Sequence, residues 1–383
     1  MAVRVTPADF TVGVEEEYQL VEPATGALRS RARGVLETDW TGEIKPEMLA
    51  SSIEVGTRVC HSAEELRAEL SRLRLQASVA AEAEGLRVVA TGTHPYDPPG
   101  TQEFNVSPVY DRLRDEYRSL AYHQSIFGLH VHVAIPPELD RAQLMNAVRQ
   151  YLPHILALSA SSPLYVGEDT GYASFRSLLW RRWPRSGPPP HLRDDAEYRR
   201  VVDDLVRTRW IDAAGRIYWE IRPHHVYPTL EFRVADVTPR IEDAVVIATL
   251  IRALVVGAVE GVIAEPALPL ASQQVLLVEN GWKASRDGVD AELLELDGDT
   301  VIARPARDAI LDLLGRIRKT GDRLGDAEAL AELPELLERG HAARRIRQKV
   351  VELDNDPVEV MHWLAEETVL GLGLDRRMEQ RDE

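Results

Sequence analysis

The sequence is short of cysteine, of positive charge and of uninterrupted apolar runs, and each shortage removes a class of function. Cys60 is the only cysteine among 383 residues, which excludes an intramolecular disulfide and a thiolate metal cage. A reducing, cytoplasmic setting is therefore expected. Lys and Arg number 45 against 62 Asp and Glu, a formal net charge of −17. That balance disfavours nucleic acid or an anionic membrane as partner, because like charges repel at long range. It does not disfavour a nucleotide held through bound cations. The opening MAVRVTPADFTVG lacks the long apolar core of a signal peptide. The most apolar segment, Val245 to Ala264, is broken by Arg252 and Glu260 and reads as a buried helix, not a membrane span. The phosphate loop GxxxxGK[ST] and a GxGxxG between strand and helix are both missing, so a bound nucleotide would depend on metals and arginines.

What is present is an ordinary globular composition, 44% hydrophobic and 28% charged, arranged in an unusual pattern. Four segments alternate apolar and polar residues as strands do, yet their polar sides carry metal-ligand types in place of Ser, Thr and Lys. In TVGVEEEYQL, Glu15 and Glu17 share one side, while Val14, Tyr18 and Leu20 share the other. In SSIEVGT, Ile53 and Val55 oppose Glu54, and in FGLHVHVAI, Leu129, Val131 and Val133 oppose His130 and His132. In TLEFRVAD, Leu230, Phe232 and Val234 oppose Glu231 and Arg233. Helical patterns separate these strands. One starts at Ser62, with Glu65 spaced as a capping box, and stops at Gly85; another runs from about Pro137 to Ser159, and a long apolar one follows Pro239. The Pro/Gly-rich stretches Pro95 to Gly100 and Pro184 to Pro190 read as loops, and beyond Asp299 the pattern becomes helical and charged.

If the four strands share one sheet, Glu15, Glu17, Glu54, His130, His132, Glu231 and Arg233 converge on its polar face. Clustered carboxylates raise one another's pKa unless cations neutralise them, so such a face calls for metal, basic partners or open solvent. For a single Glu a solvated surface is the better reading; for four strands repeating the pattern it is not. Oxygen-rich sites with an occasional imidazole suit Mg2+ or Mn2+ better than Zn2+. His132 is the weaker ligand candidate, suited to orienting a carboxylate. Arg176, in FRSLLWRRWP, is placed to clamp a carboxylate with its planar fork. Cys60 reads as a structural thiol.

At these residues the sequence resembles the type 2 glutamate-cysteine ligases, the YbdK-type carboxylate-amine ligases of the glutamine synthetase-like superfamily. The resemblance runs from about Thr11 to Gly288 through GVEEEYQL, SSIEVGT, GTHPY, FGLHVHV, LSASSPLYVGEDTGYASFRS, IRPHHVYPTLEFRVAD and ENGWKASRDG. It implies an α+β fold: a curved, mainly antiparallel sheet forming an active-site funnel, covered on its convex side by helices, with a C-terminal helical layer. It implies one catalytic domain over 1–383, divided into a core at 1–298 and a helical part at 299–383. Metal ligands would be Glu15, Glu17, Glu47, Glu54, His130 and Glu231, with His132 and Asp236 supporting them. Glu47 also reads as an ordinary surface acid. Arg233, Glu231 and Arg176 would be catalytic, and Arg176, Arg222 and Arg286 would contact substrate. The implied cofactors are ATP and Mg2+, with Mn2+ as substitute; the implied partners are small amino acids, and a homodimer is a further expectation.

The sequence departs from the common family pattern at His224-His225, where many members have Ser-Pro, and at Asp287, where an aromatic residue is frequent. Both departures bear on which acid or amine is accepted. Two other readings stay open from the residues: a metal-dependent hydrolase built on the His130-x-His132 pair, and a non-catalytic nucleotide or metabolite sensor.

Overall fold

A computed structural model describes residues 6–372. Val12–Val21 (β1), Ile44–Pro46 (β2), Ser52–Gly56 (β3), Arg87–Val89 (β4), Gly128–Ala134 (β5), Ile221–Pro223 (β6) and Thr229–Asp236 (β7) form one sheet of seven strands. The order is β6-β7-β5-β1-β3-β2, and β4 extends the β5 side of β1. All pairings are antiparallel, so the fold is α+β as expected, with the four ligand-bearing strands side by side.

The apolar residues of these strands choose the face that helices cover. Val12, Val14, Leu129, Val131, Val133, Leu230 and Phe232 are buried in one cluster with the helices Arg141–Val148, Leu152–Ser159 and Ile241–Val259. Ile241–Val259 is buried on nearly every side, which explains why it is apolar all round. The helix Ala63–Ala83 covers Tyr18, Leu20, Ile53 and Val55. It starts as its sequence dictates: the Ser62 hydroxyl accepts from the Glu65 N–H at 3.2 Å, and Gly85 follows its end at φ +71°.

Two expected elements differ. The helix expected from about Pro137 to Ser159 is two helices joined by a 3-10 turn at Arg149–Tyr151, because Pro153 has no N–H to continue the first one and instead opens the second. The helical part expected beyond Asp299 begins at Ala306, after a hairpin of Glu292–Asp297 with Thr300–Pro305. Gly298, at φ +61°, takes the first place of the two-residue turn Gly298-Asp299, so the Gly-Asp pair is a hairpin signal that the surrounding charge obscures. The polar tail beyond residue 372 lies outside the described residues.

One acid of β1 points the wrong way for its neighbours. Glu16 lies on the covered face with no exposure, and Arg74, equally buried, donates from Nε at 2.9 Å and from Nη2 at 2.5 Å. Tyr18 donates to the same carboxylate, and Arg74 also donates to the carbonyls of Thr238 and Thr368. The pair thus ties β1 to the segment before the apolar helix and to the C-terminal helix. Removing one partner leaves an uncompensated buried charge, so Arg74→Met is expected to lower unfolding stability by about 3–5 kcal/mol in denaturant titrations. A Glu16→Gln/Arg74→Met double variant should lose clearly less.

Candidate active site

Register decides which side chains share the open face. Glu15 lies opposite His130, Glu17 opposite Glu54, His132 opposite Glu231, and Glu231 opposite Arg222. Residues directly opposite in an antiparallel pair stand on the same side, so the expected convergence occurs. Three groups result, each with donor atoms within 4.8 Å of one another: Glu15, His132 and Glu231; Glu15, Glu54 and His130; Glu17, Glu47 and Glu54. Glu15 and Glu54 each belong to two of them. The Nε2 atoms of His130 and His132 are buried without a hydrogen-bond partner, although Glu15 lies 3.5 Å from that of His132. Buried, unpartnered imidazole nitrogens among carboxylates fit a divalent cation, and the excess of oxygen donors fits Mg2+ or Mn2+.

The electrostatics divide the face. Burial works to raise the Glu15 carboxyl, but hydrogen bonds and charge from His130 and His132 outweigh it and hold the group below its ordinary range. Burial likewise opposes ionisation of Glu231, and Arg233 and Arg222 overcome it. Glu17 is different: burial first, and then the charge of Glu47, push it up to about 8. Burial also raises Glu47 and Glu54, the latter helped by Glu15. A carboxyl raised by folding contributes stability below its unfolded pKa near 4.5 and loses it as pH rises towards about 8. The metal-free protein should therefore melt at falling temperatures across that window. A divalent cation favours the ionised carboxylates, so Mg2+ is expected to raise the melting temperature more at about pH 8 than at about pH 6, read from paired thermal melts.

Two arginines border the acids. The register between β7 and β5 shifts between Phe232 and Ala235, a bulge of the kind that re-aims side chains next to active sites. Arg233, within this bulge, donates from Nη1 to Glu231, while its Nε is buried and unpartnered. The bulge also presents the carbonyls of Arg233 and Val234 to Arg176, at 3.3 and 3.4 Å. Arg176 is 1% exposed, sits 3.7 Å from Asp236, and keeps its own Nε unpartnered. Both guanidinium groups stack on Trp180, with ring-centroid distances of 4.7 and 5.0 Å. Gly128 leaves room where the strand passes them: a Cβ there would stand 2.4 Å from Arg176 Nη2, so the guanidinium would have to shift. Beyond Arg233 the cleft has an apolar wall that includes Met48, Tyr110, Trp183 and Tyr218.

The profile of glutamate-cysteine ligase family 2 matches residues 11–367. A Roseiflexus (strain RS-1) protein named, provisionally, glutamate–cysteine ligase 2 is 37% identical over 366 residues, covering 95% of this chain and 96% of its own. The chain belongs to glutamate-cysteine ligase family 2. Among its relatives is a similarly named protein of Mycolicibacterium smegmatis, 35% identical over 365 residues, with 94% of this chain and 98% of that one covered. In fold the chain is similar to glutamate–cysteine ligase from Francisella tularensis in complex with AMP: TM-score 0.65, 13% identity, 99% of this chain and 93% of that one. It is also similar to a bifunctional glutathione synthetase from Pasteurella multocida: TM-score 0.69, 16% identity, 97% of this chain and 53% of that one.

The structure of this family member brings together Glu15, Glu17, Glu47, Glu54, His130 and Glu231, with Arg176 and Arg233 beside them. Glu47, open between ligand and surface acid in the sequence, joins Glu17 and Glu54. His132, expected only to support, stands in a group of its own with Glu15 and Glu231. Asp236 holds Arg176 from one side while accepting from Ser161, Ser162 and Ser174 at 2.7–3.0 Å. Two expected substrate contacts have partners within the chain. Arg222 is committed to Glu231 through Nε at 2.6 Å and Nη2 at 3.2 Å, and to the carbonyls of Gly215 and Ile217, so most of its fork orients an acid. Arg286 pairs with the adjacent Asp287 at 2.8 Å and stacks on Trp282 at 4.9 Å. His224 approaches the acids, with Nε2 4.0 Å from Glu231, whereas His225 is exposed. Sequence reasoning missed Trp180, Tyr110 and Trp183. Trp180 was accessible to it, four residues after Arg176 on one helix; Tyr110 comes from a helix with no motif to mark it.

Proposed function

We propose that the protein is an ATP-dependent carboxylate–amine ligase that forms an amide through an acyl phosphate, with glutamate and cysteine as the default pair. The observation that supports this most is the meeting at one sheet face of three overlapping acidic groups, two of them holding an imidazole, with two arginines whose buried Nε atoms have no protein partner. Family membership supports the carbon–nitrogen ligase class and does not favour the hydrolase or sensor readings. The fold likeness to the Francisella tularensis glutamate–cysteine ligase in complex with AMP supports an adenine nucleotide as co-substrate, here proposed to be ATP.

Glu15, Glu17, Glu47, Glu54, His130, His132 and Glu231 would hold divalent cations, Mg2+ with Mn2+ as substitute. Bound there, the cations would neutralise the polyphosphate and polarise the transferring phosphoryl group. Arg233, anchored to Glu231, directs its fixed positive charge at the phosphoryl oxygens as they are transferred and released. Arg222 keeps the Glu231 carboxylate in one orientation. Arg176, held by Asp236 and the bulge carbonyls, receives the donor carboxylate. The apolar wall with Tyr110, Trp180 and Trp183 limits water near the acyl phosphate until the amine attacks.

Shielding the acyl phosphate from water calls for a closing loop, for which Pro95 to Gly100 and Pro184 to Pro190 are both candidates; the first is tied at the Pro95 carbonyl and the Asp97 carboxylate, the second at the Arg185, Gly187 and Pro189 carbonyls. Residues 1–383 acting as one catalytic domain, a homodimeric state and a cytoplasmic location complete the proposal. No helix among the described residues is long and apolar enough to cross a membrane. Hydroxylamine trapping tests the intermediate: with ATP, Mg2+ and glutamate but no amine, an acyl hydroxamate should accumulate. Its absence across a panel of amino-acid donors, despite ATP consumption, would count against acyl transfer.

A further inference from the structure

A second cavity, of about 260 Å3, shares no lining residue with the cleft on the sheet. Its walls come from the paired helices around Arg149, the Leu270–Asp287 helix, the Glu292–Pro305 hairpin and the Ala306–Leu324 helix. Three arginines and two acids line it, in a chain whose net charge is strongly negative.

The acids are already committed. Glu295 accepts from His154 Nε2 at 3.1 Å and from Arg304 at 3.2 Å, and Asp312 lies 3.9 Å from the same arginine. Arg149 and Arg316 remain without a carboxylate within ion-pair distance among the described residues. Arg149 is 2% exposed, yet it donates only to neutral acceptors: the Pro189 carbonyl at 3.0 Å and the Gln273 and Gln274 side chains at 3.1 and 3.3 Å. Glu265, the acid whose charge reaches Arg149, is engaged by His191 at 3.2 Å and Gln273 at 3.0 Å. Arg316 donates to the Tyr151 hydroxyl at 2.7 Å and the Val262 carbonyl at 3.1 Å. His154 Nδ1 is buried with no partner. A desolvated guanidinium without a paired counter-charge is costly, and Arg149 shares the cavity with Arg316, an exposed guanidinium whose charge reaches Glu295 without pairing with it, so the two together are matched to an anion.

We propose that this cavity binds a small organic anion through Arg149 and Arg316, using carboxylate or phosphate groups. Both chemistries suit the planar fork of arginine, which makes two parallel hydrogen bonds to either group. The site is connected to the sheet cleft by one rigid element. The Leu270–Asp287 helix that walls the cavity ends where the Ser285 and Arg286 carbonyls accept from Ser174 and Ala173, at the head of the helix carrying Arg176.

Calorimetric titration of the full chain with citrate and, separately, with inorganic phosphate tests the site, with neither nucleotide nor divalent metal present. Binding of citrate alone assigns carboxylate chemistry, and binding of phosphate alone assigns phosphate chemistry. In either case Arg316→Gln should weaken it by at least about tenfold, and Arg233→Gln, in the sheet cleft, should leave it intact. Arg316 is exposed, so its replacement tests the site even if a variant at the buried Arg149 fails to fold. Absence of binding by both probes, binding that survives Arg316→Gln, or binding lost in Arg233→Gln would each overturn the proposal. No turnover is measured, so the result is independent of the ligase reading.

Discussion

Arg233→Gln is expected to lower kcat for ADP release by about a thousandfold while the KM for ATP changes little, because a fixed cation beside the transferring phosphoryl group acts mainly in the transition state. The geometry supports this assignment on three counts. The bulge in β7 aims the side chain into the cleft, Glu231 anchors one of its terminal nitrogens, and Trp180 supports its plane at 5.0 Å. Arg233→Lys should recover little of the loss, since an ammonium cannot keep both the Glu231 contact and the planar fork. Thermal melting of each variant separates lost chemistry from lost folding. A fall in kcat of less than about tenfold would remove Arg233 from the phosphoryl-transfer step.

Glu15→Gln should be the most damaging replacement among the acids, with activity down at least about a thousandfold and fewer divalent cations bound per chain. Glu15 belongs to two of the three ligand groups. It also stands 3.3 Å from His130 Nδ1 and 3.5 Å from His132 Nε2, so its removal frees two imidazoles as well as a carboxylate. Glu47 belongs to one group only, and Glu47→Gln should retain more metal and more activity. Metal titration and steady-state turnover on both variants check the ordering. Equal losses, or a larger loss at Glu47, would contradict the shared-ligand arrangement.

Period-two alternation sorted Glu15, Glu17, Glu54, His130 and Glu231 onto the polar side of their strands, because strand geometry leaves a side chain only two directions, and the shared sheet then joins those sides into one face. It could not show that Glu47 joins them. That residue lies just past the short strand β2, outside any alternating run. Nor could it rank His132, whose place beside Glu15 and Glu231 depends on cross-strand register. Arg222 and Arg233 flank Glu231 in similar surroundings, yet Arg222 is spent on Glu231 and two carbonyls while the bulge leaves part of Arg233 free. Sequence spacing carries no trace of such a bulge. Glu16 illustrates a related limit. Its neighbours suggest a third acid for the face, but alternation turns it inward, and Arg74, far away in sequence, makes its burial tolerable.

The central claim is that this acidic face couples ATP cleavage to amide formation. The most direct measurement is release of ADP and orthophosphate by the purified chain with ATP and Mg2+, against a panel of amino-acid donor and amine pairs that includes glutamate with cysteine, with the product identified by mass. ADP, orthophosphate and amide are expected to form together, only when ATP, a divalent cation and both substrates are present. Amide hydrolysis without nucleotide, or no ADP with any pair despite bound ATP and metal, would contradict it.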